Sequence, residues 1–182
     1  INPVGNSFPA NFLIFKNEMY FVADDGVTGM ELWKTDGTES NTVRLTDINP
    51  DGSSNPMNLK EFNGYLYFTV IDGSTAPALW RTDGTTNGTE KFKSLSNNYF
   101  QINNLTVFKN YLLFNAISPF LGNQLWATDG IDIRGTRMVS EVGFNGGLEF
   151  NGELYFRGYD FESGYELWKT DGTANGTILV KD

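Results

Sequence analysis

The side chains able to do chemistry in this chain are few in kind, and they recur. Cysteine and histidine are absent from its 182 residues. Their absence excludes disulfides, thiolate nucleophiles, Ser–His–Asp triads and histidine-ligated metals. Carboxylates, hydroxyls, amides, amines and aromatic rings remain. The most conspicuous carboxylates stand in a recurring Thr-Asp-Gly: Asp36, Asp83, Asp129 and Asp171. One carboxylate per copy could hold a ligand or a calcium ion. Four copies at one place in a repeat fit a local task better, in which the Asp and Thr side chains bond the amides of a turn. Trp33, Trp80, Trp126 and Trp168 each lie three residues before one of these aspartates. Indoles stack on sugars, but each of these follows a leucine in an apolar run. That setting favours packing between repeats, with the indole N–H bonded to a backbone carbonyl.

One segment has the first half of a calcium-binding loop. Asp47-Ile-Asn-Pro-Asp-Gly-Ser53 reads D-x-N-x-D-G, offering Asp47, Asn49 and Asp51 as oxygen ligands. A hard cation needs several oxygens at about 2.4 Å, closed by a bidentate Glu at the twelfth position. Asn58 stands there instead, so an ordinary Pro-Asp-Gly turn is the expectation and calcium the only cofactor considered. Asp24-Asp25-Gly26 is a weaker candidate. A glycosidase needs two carboxyls about 5–10 Å apart in a cleft, one with a raised pKa. Glu31 and Glu166 belong to the repeat, and nothing in the sequence pairs any two of Glu61, Asp72, Glu141, Glu149, Asp160 and Glu162. No catalytic residue is assigned. Departures from the repeat are better site candidates, because structure needs what recurs while a specific site uses what one copy alone supplies. The departing loops carry Tyr99 and Phe100, Phe120, and Tyr159 with Phe161. These rings could hold a glycan face or a protein partner, or could cover an edge of the fold.

The elements that must carry these residues repeat four times. Glu31-Leu-Trp-Lys-Thr-Asp-Gly-Thr38 returns as Ala78-Leu-Trp-Arg-Thr-Asp-Gly-Thr85, Gln124-Leu-Trp-Ala-Thr-Asp-Gly-Ile131 and Glu166-Leu-Trp-Lys-Thr-Asp-Gly-Thr173. The tryptophans are 47, 46 and 42 residues apart. Each octapeptide is preceded by an aromatic strand (residues 19–22, 65–68, 111–114 and 153–156) and, before that, by a short apolar strand ending in a Lys-Asn or Asn-Gly turn. A fourth strand follows the Thr-Asp-Gly. Alternation with period two suits strands and fails the helical period. Asn-Gly and Asp-Gly favour the positive φ angles of type I′ hairpins. Four antiparallel strands every 40–45 residues predict an all-β fold of β-propeller type, with four blades at about 1–48, 49–96, 97–142 and 143–182. A single such sheet cannot shelter both its faces, so neighbours stack. The chain begins and ends at the same point of the repeat. It is read as a closed four-bladed ring, a section of a larger one, or half of a ring made by two chains.

The octapeptides resemble the ELWxxDGT repeat family of large exported bacterial proteins, and the resemblance covers nearly the whole chain. It implies a propeller-like array outside the cytoplasm, secreted, periplasmic or at the cell surface. It implies no defined activity. The third copy departs from the pattern at Gln124, Ala127 and Ile131, so a role shared by all copies is in doubt there.

The net charge of −9 repels phosphate backbones and anionic lipid, which argues against nucleic acid and membranes as partners. No 18-residue apolar run is present, so no direct membrane insertion is expected. The sequence therefore predicts a non-catalytic extracellular scaffold or interaction module. Its partners would be other proteins or further copies of the repeat. A carbohydrate-binding lectin is the first alternative and a fragment of a glycosidase the second.

Overall fold

The computed structural model describes residues 1–70, 78–95 and 101–182. The predicted Tyr99 and Phe100 lie outside the described residues, as does Asp72. The fold is all-β and of propeller type: four sheets, each of four antiparallel strands in chain order. Sheet 1 holds β1 (Ala10–Phe15), β2 (Glu18–Asp24), β3 (Met30–Thr35) and β4 (Val43–Arg44). Sheet 2 holds β5 (Met57–Phe62), β6 (Tyr65–Val70), β7 (Ala78–Thr82) and β8 (Glu90–Ser94). Sheet 3 holds β9 (Gln101–Phe108), β10 (Tyr111–Ser118), β11 (Gly122–Thr128) and β12 (Arg137–Ser140). Sheet 4 holds β13 (Gly143–Phe150), β14 (Glu153–Asp160), β15 (Gly164–Thr170) and β16 (Ile178–Lys181). The chain divides into two compact units, Ile1–Ser94 and Leu95–Asp182, of two sheets each.

The octapeptide forms the third strand of every sheet, and its alternation explains the packing. Leu and Trp are adjacent, so they point to opposite faces. In the first unit Leu32 goes with Phe15, Tyr20, Leu45 and Ile48 into a core that Leu66, Phe68 and Val70 of sheet 2 complete, flanked by Trp80. In the second unit Leu125, Leu113, Phe108, Ala127 and Val139 of sheet 3 meet Phe144, Leu154 and Phe156 of sheet 4, flanked by Trp168. Within each unit, then, the leucine face of one sheet lies on the tryptophan face of the next. Burying a leucine or phenylalanine contributes about 1.5–3 kcal/mol, which makes this face-to-face contact the main source of each unit's stability.

The turns follow two rules. The first hairpin has two residues in the left-handed region in three sheets, Lys16 and Asn17 (φ 50° and 64°) in sheet 1, Asn63 and Gly64 (48° and 76°) in sheet 2 and Asn151 and Gly152 (51° and 77°) in sheet 4, as a type I′ turn requires, while in sheet 3 Lys109 alone (52°) is left-handed. The Asp-Gly turn differs from the sequence expectation. Only its glycine has positive φ, 101° at Gly84, and the connection runs on for several residues before the next strand. The aspartate therefore does not form an I′ corner but folds its carboxylate back into the loop. Each opening strand also carries a bulge with a left-handed residue, Asn11, Asn58, Asn104 or Gly146 (φ 56°, 56°, 57° and 73°). The bulge asparagine ties a sheet to its neighbour: Asn11 Nδ2 donates to the Pro56 carbonyl at 3.3 Å and Asn104 Nδ2 to that of Phe144 at 3.1 Å.

Candidate binding cleft

The repeated aspartates are occupied by their own turns. Asp83 Oδ1 accepts from the Thr85 amide at 2.9 Å and its hydroxyl at 2.7 Å, and Asp171 does the same with Thr173 at 2.8 and 2.7 Å. Asp36 takes Thr38 in the same way and adds Asn41 Nδ2 at 2.6 Å. These bonds hold the carboxyls of Asp36, Asp83 and Asp171 below the usual aspartate range. Asp129 keeps the bond to the amide of residue 131 at 3.0 Å, where Ile131 has no hydroxyl to give. The first threonine of each turn completes the clamp. Thr35, Thr82, Thr128 and Thr170 contact Thr42, Thr89, Thr136 and Thr177, hydroxyl to hydroxyl, at 2.7, 2.8, 3.0 and 2.7 Å.

The tryptophans lie in the sheets, where packing was expected, but their N–H groups do not behave alike. Trp33 Nε1 donates to the Ala23 carbonyl at 3.0 Å. Trp80 and Trp168 Nε1 have no hydrogen-bond partner among the described residues. The Trp168 ring presses on Gly158, in the space a β-carbon there would fill. Lys91 lies 5.9 Å from the Trp80 ring centre.

The Asp47–Ser53 segment is built as a turn. Asp47 Oδ2 pairs with Arg44 at 3.2 Å, Asn49 Nδ2 donates to the Ser53 carbonyl at 3.2 Å, and the Gly52 amide bonds the Asn49 carbonyl at 2.9 Å. No group of three or more His, Cys, Asp or Glu side chains fit to hold a metal occurs among the described residues. Asp25, in the weaker acidic loop, accepts from the amides of Val27 and Thr28 at 2.8 and 2.7 Å.

Burial pushes the Glu31 carboxyl above the usual glutamate range. It is fully enclosed, 0% exposed, and accepts from Ser54 Oγ at 2.5 Å and the Ser54 amide at 2.9 Å. It therefore joins β3 to the segment that leads into sheet 2 and faces no cleft.

A concave site does exist within the second unit. It is a cleft of about 210 Å³, bounded chiefly by Asn103, Asn115 and Asn123 of sheet 3 and by Asn145, Arg157 and Tyr165 of sheet 4. Strand register builds it. Asn115 on β10 pairs with Asn103 on β9, while Ile117, two residues along the same face, pairs with Asn123 on β11. Asn115 is 3% exposed and fully used: Nδ2 donates to Asn103 Oδ1 and Asn123 Oδ1, both at 3.1 Å, and Oδ1 accepts the Phe144 amide at 3.1 Å. Asn104 Nδ2 reaches Asn145 Oδ1 at 3.0 Å. These bonds fix the asparagine amides in one orientation, and they leave the Nδ2 donors of Asn103, Asn123 and Asn145 outside the network.

Aromatic rings form the other wall. Tyr159 lies 4.8 Å from Tyr165 and 5.7 Å from Phe161, and Arg157 sits 4.1 Å above the Tyr165 ring. Phe161 packs over Gly122, with ring carbons 3.5 Å from where a β-carbon would stand, and is 79% exposed. Tyr165 is 62% exposed. Asp160 anchors the hairpin that carries Phe161, accepting from the amides of Glu162 and Ser163 at 2.9 and 2.6 Å. The structure thus brings Tyr159 to the cleft, while Phe161 packs against Tyr159 and over Gly122 without lining it. Phe120 is 78% exposed on the β10–β11 hairpin and does not line it. The asparagines were not singled out from sequence, although a signal existed. Asn115 stands where the other copies have Val22, Thr69 and Arg157, a departure from the repeat inside a strand, not in a loop.

Among the described residues no carboxylate lines the cleft, and Arg157 is the single charged group that does. Chemically it offers amide donors and acceptors, one cation and the faces and edges of tyrosine rings.

No family model and no curated protein matches the chain. Solved structures do resemble it. A prolyl endopeptidase aligns over 95% of this chain and 26% of its own length, at 9% identity and a TM-score of 0.66. The computationally designed Ika8 protein aligns over 91% of this chain and 46% of its own, at 17% identity and a TM-score of 0.52. Trypanosoma rangeli sialidase, solved with the inhibitor DANA, aligns over 97% and 38%, at 13% identity and a TM-score of 0.52. The chain spans less than half the length of each, and at these identities the likeness is one of fold.

Proposed function

We propose that this chain is a non-catalytic binding module that takes a neutral, polyhydroxylated ligand, a saccharide, in the cleft of its second unit. The observation that carries this reading is a carboxylate-free cleft with fixed asparagine amides on one wall and exposed tyrosine on the other. Sugars present C–H faces that lie on aromatic rings and hydroxyls that both donate and accept. Amides match the hydroxyls because each carries donors and acceptors together. Glycosidic cleavage needs an acid and a second carboxylate across the bond. The cleft supplies neither, and Glu31 is sealed inside the first unit. The resemblance of the octapeptides to ELWxxDGT repeats supports an exported or cell-surface setting, with the module as part of a scaffold. No helix among the described residues is long and apolar enough to cross a membrane.

The cleft is smaller than the ~300–1,000 Å³ of drug-sized sites, which suits a single sugar unit. At about 0.3 kcal/mol per heavy atom, a twelve-atom hexose gains roughly 4 kcal/mol, a dissociation constant in the millimolar range. Useful retention then depends on several sites acting together. The test is retention on a panel of immobilised neutral glycans. The wild-type chain is expected to be retarded on at least one of them. Tyr165→Ala and Asn123→Ala should lose that retardation with unchanged circular dichroism. Absence of retardation on every glycan, or equal retardation of Tyr165→Ala, overturns the reading.

A further inference from the structure

Residues 13–45 of sheet 1 and 148–180 of sheet 4 align without a gap, and the same side chains meet opposite fates. In sheet 1, Phe15, Leu32 and Leu45 are 1%, 0% and 3% exposed, because sheet 2 covers them. Their counterparts Phe150, Leu167 and Val180 are 61%, 46% and 42% exposed, and Leu148 is 77% exposed. In the other three copies the octapeptide leucine (Leu32, Leu79 or Leu125) is 0% exposed. Sheet 4 thus presents a leucine face that is exposed among the described residues.

The polar part of that contact is also in place. In the first unit Lys34 bonds Glu18 at 3.0 Å and reaches across to the Gly84 carbonyl of sheet 2 at 3.2 Å, while Tyr20 touches Glu18 at 3.4 Å and abuts Gly84. In sheet 4 Lys169 bonds Glu153 at 2.9 Å and Tyr155 touches Glu153 at 3.4 Å. The same Lys–Glu–Tyr trio stands ready, without a Thr-Asp-Gly turn to receive.

Such a turn stands unmatched on sheet 1. A β-carbon on Gly84 would meet Tyr20, and one on Gly172 would meet Tyr111, each a ring of the preceding sheet. One on Gly37 would meet nothing within 4 Å. Met19, on the tryptophan face, is 38% exposed, whereas its counterparts Leu66, Leu112 and Leu154 are 0%, 0% and 2% exposed. Phe12 is 58% exposed on the same face, stacked on Phe21. Charge agrees with shape: the face with Lys169 carries the cation, and the turn of Gly37 carries the Asp36 carboxylate.

We infer that the leucine face of sheet 4 binds the tryptophan face of sheet 1 of a second copy of this chain, head to tail. The contact repeats the one sheet 1 makes with sheet 2 and sheet 3 with sheet 4. A heterologous interface of this kind builds rings or chains of copies. It does not depend on the saccharide reading. Arg157 and Tyr165 share the leucine face at its hairpin end, and Leu167 pairs with Arg157 across the strands, so the variants are placed at Leu167 and Met19, which do not themselves line the cleft.

Sedimentation velocity across the micromolar range reads the outcome. The wild-type chain is expected to form dimers or larger species as concentration rises. Leu167→Glu, on the exposed leucine face, and Met19→Glu, on the opposite face of sheet 1, should each remain monomeric with unchanged circular dichroism. An equal mixture of the two variants should regain a one-to-one dimer, because one keeps an intact sheet 1 and the other an intact sheet 4. A wild-type chain that stays monomeric throughout overturns the inference, including the case in which Leu167 is protected from hydrogen exchange because the chain closes on itself. So does a Leu167→Glu variant that associates as well as wild type, or a mixture that stays monomeric.

Discussion

Truncating the octapeptide leucine in two sheets should give two very different results. Leu125 is 0% exposed in a core shared by sheets 3 and 4, while Leu167 holds the same place in the repeat at 46% exposure. Leu125→Ala removes the transfer energy of the side chain and leaves a cavity that both sheets line, a loss of about 3–5 kcal/mol. Leu167→Ala forfeits about half the burial of one leucine, roughly 1 kcal/mol, and solvent fills the space. With a urea m-value of about 1–2 kcal/mol/M, the first variant shifts the unfolding midpoint of the second unit by about 2 M or more and the second by under about 1 M. The measurement is urea unfolding at submicromolar protein, where association is minimal, with hydrogen exchange of the β10 and β11 amides to assign the transition. Leu32→Ala should act on the first unit as Leu125→Ala does on the second. Equal losses for Leu125→Ala and Leu167→Ala in dilute solution would refute the claim that each sheet is sheltered by its neighbour.

Gly84→Ala and Gly37→Ala force nearly the same left-handed backbone, φ 101° and 98°. Only the first drives a methyl into Tyr20, whose hydroxyl lies 2.7 Å from the β-carbon position. Both variants should lose about 1 kcal/mol to backbone strain, with a further ~1–3 kcal/mol for Gly84→Ala alone, read as the difference in midpoint. Asn115→Ala strands the buried Phe144 amide and frees both neighbouring asparagines, so the second unit should lose about 2–4 kcal/mol and the cleft its shape, read by chemical unfolding and glycan retention. Asp36, Asp83 and Asp171 have carboxyls below the ordinary 3.8, so their stabilisation is present above that pH and is lost as pH falls through their folded values. Glu31 acts oppositely: its carboxyl lies above the ordinary 4.5, so stability declines as pH rises from 4.5 through its folded value. Glu31→Gln should remove that decline and leave the acid limb intact in a stability profile against pH.

The fold was legible because one octapeptide sets both a strand and its two faces. Leu32 and Trp33 are neighbours in sequence and so cannot share a face, and four such pairs at near-constant spacing already imply stacked sheets. The Thr-Asp-Gly task was legible for the same reason, since a carboxylate repeated four times is explained by something that occurs four times. The geometry of that turn was not, because Asp-Gly suits several loops and the choice depends on where Thr38, Thr85 and Thr173 place their hydroxyls. Among the site residues, Tyr159 stood out as a departure from the repeat, although it lies in β14 and not in the loop the sequence suggested. The asparagines did not, since Asn115 and Asn123 meet only through strand register and an isolated asparagine in a strand has no spacing to betray it. Exposure of Leu167 was likewise hidden, because nothing local distinguishes it from Leu125.

Ligand recognition should reside where sheets 3 and 4 depart from the repeat, and the side-chain amide signals of Asn103, Asn115 and Asn123 report on that place directly. A titration with a retained neutral glycan, followed by ¹H–¹⁵N correlation spectra, should shift the Asn103 and Asn123 amides and the Tyr165 ring together along one saturating curve. The bulge asparagines Asn11 and Asn58 of the first unit should not move. Shifts spread over the Thr-Asp-Gly turns of all four sheets, or none at the cleft asparagines, would contradict it.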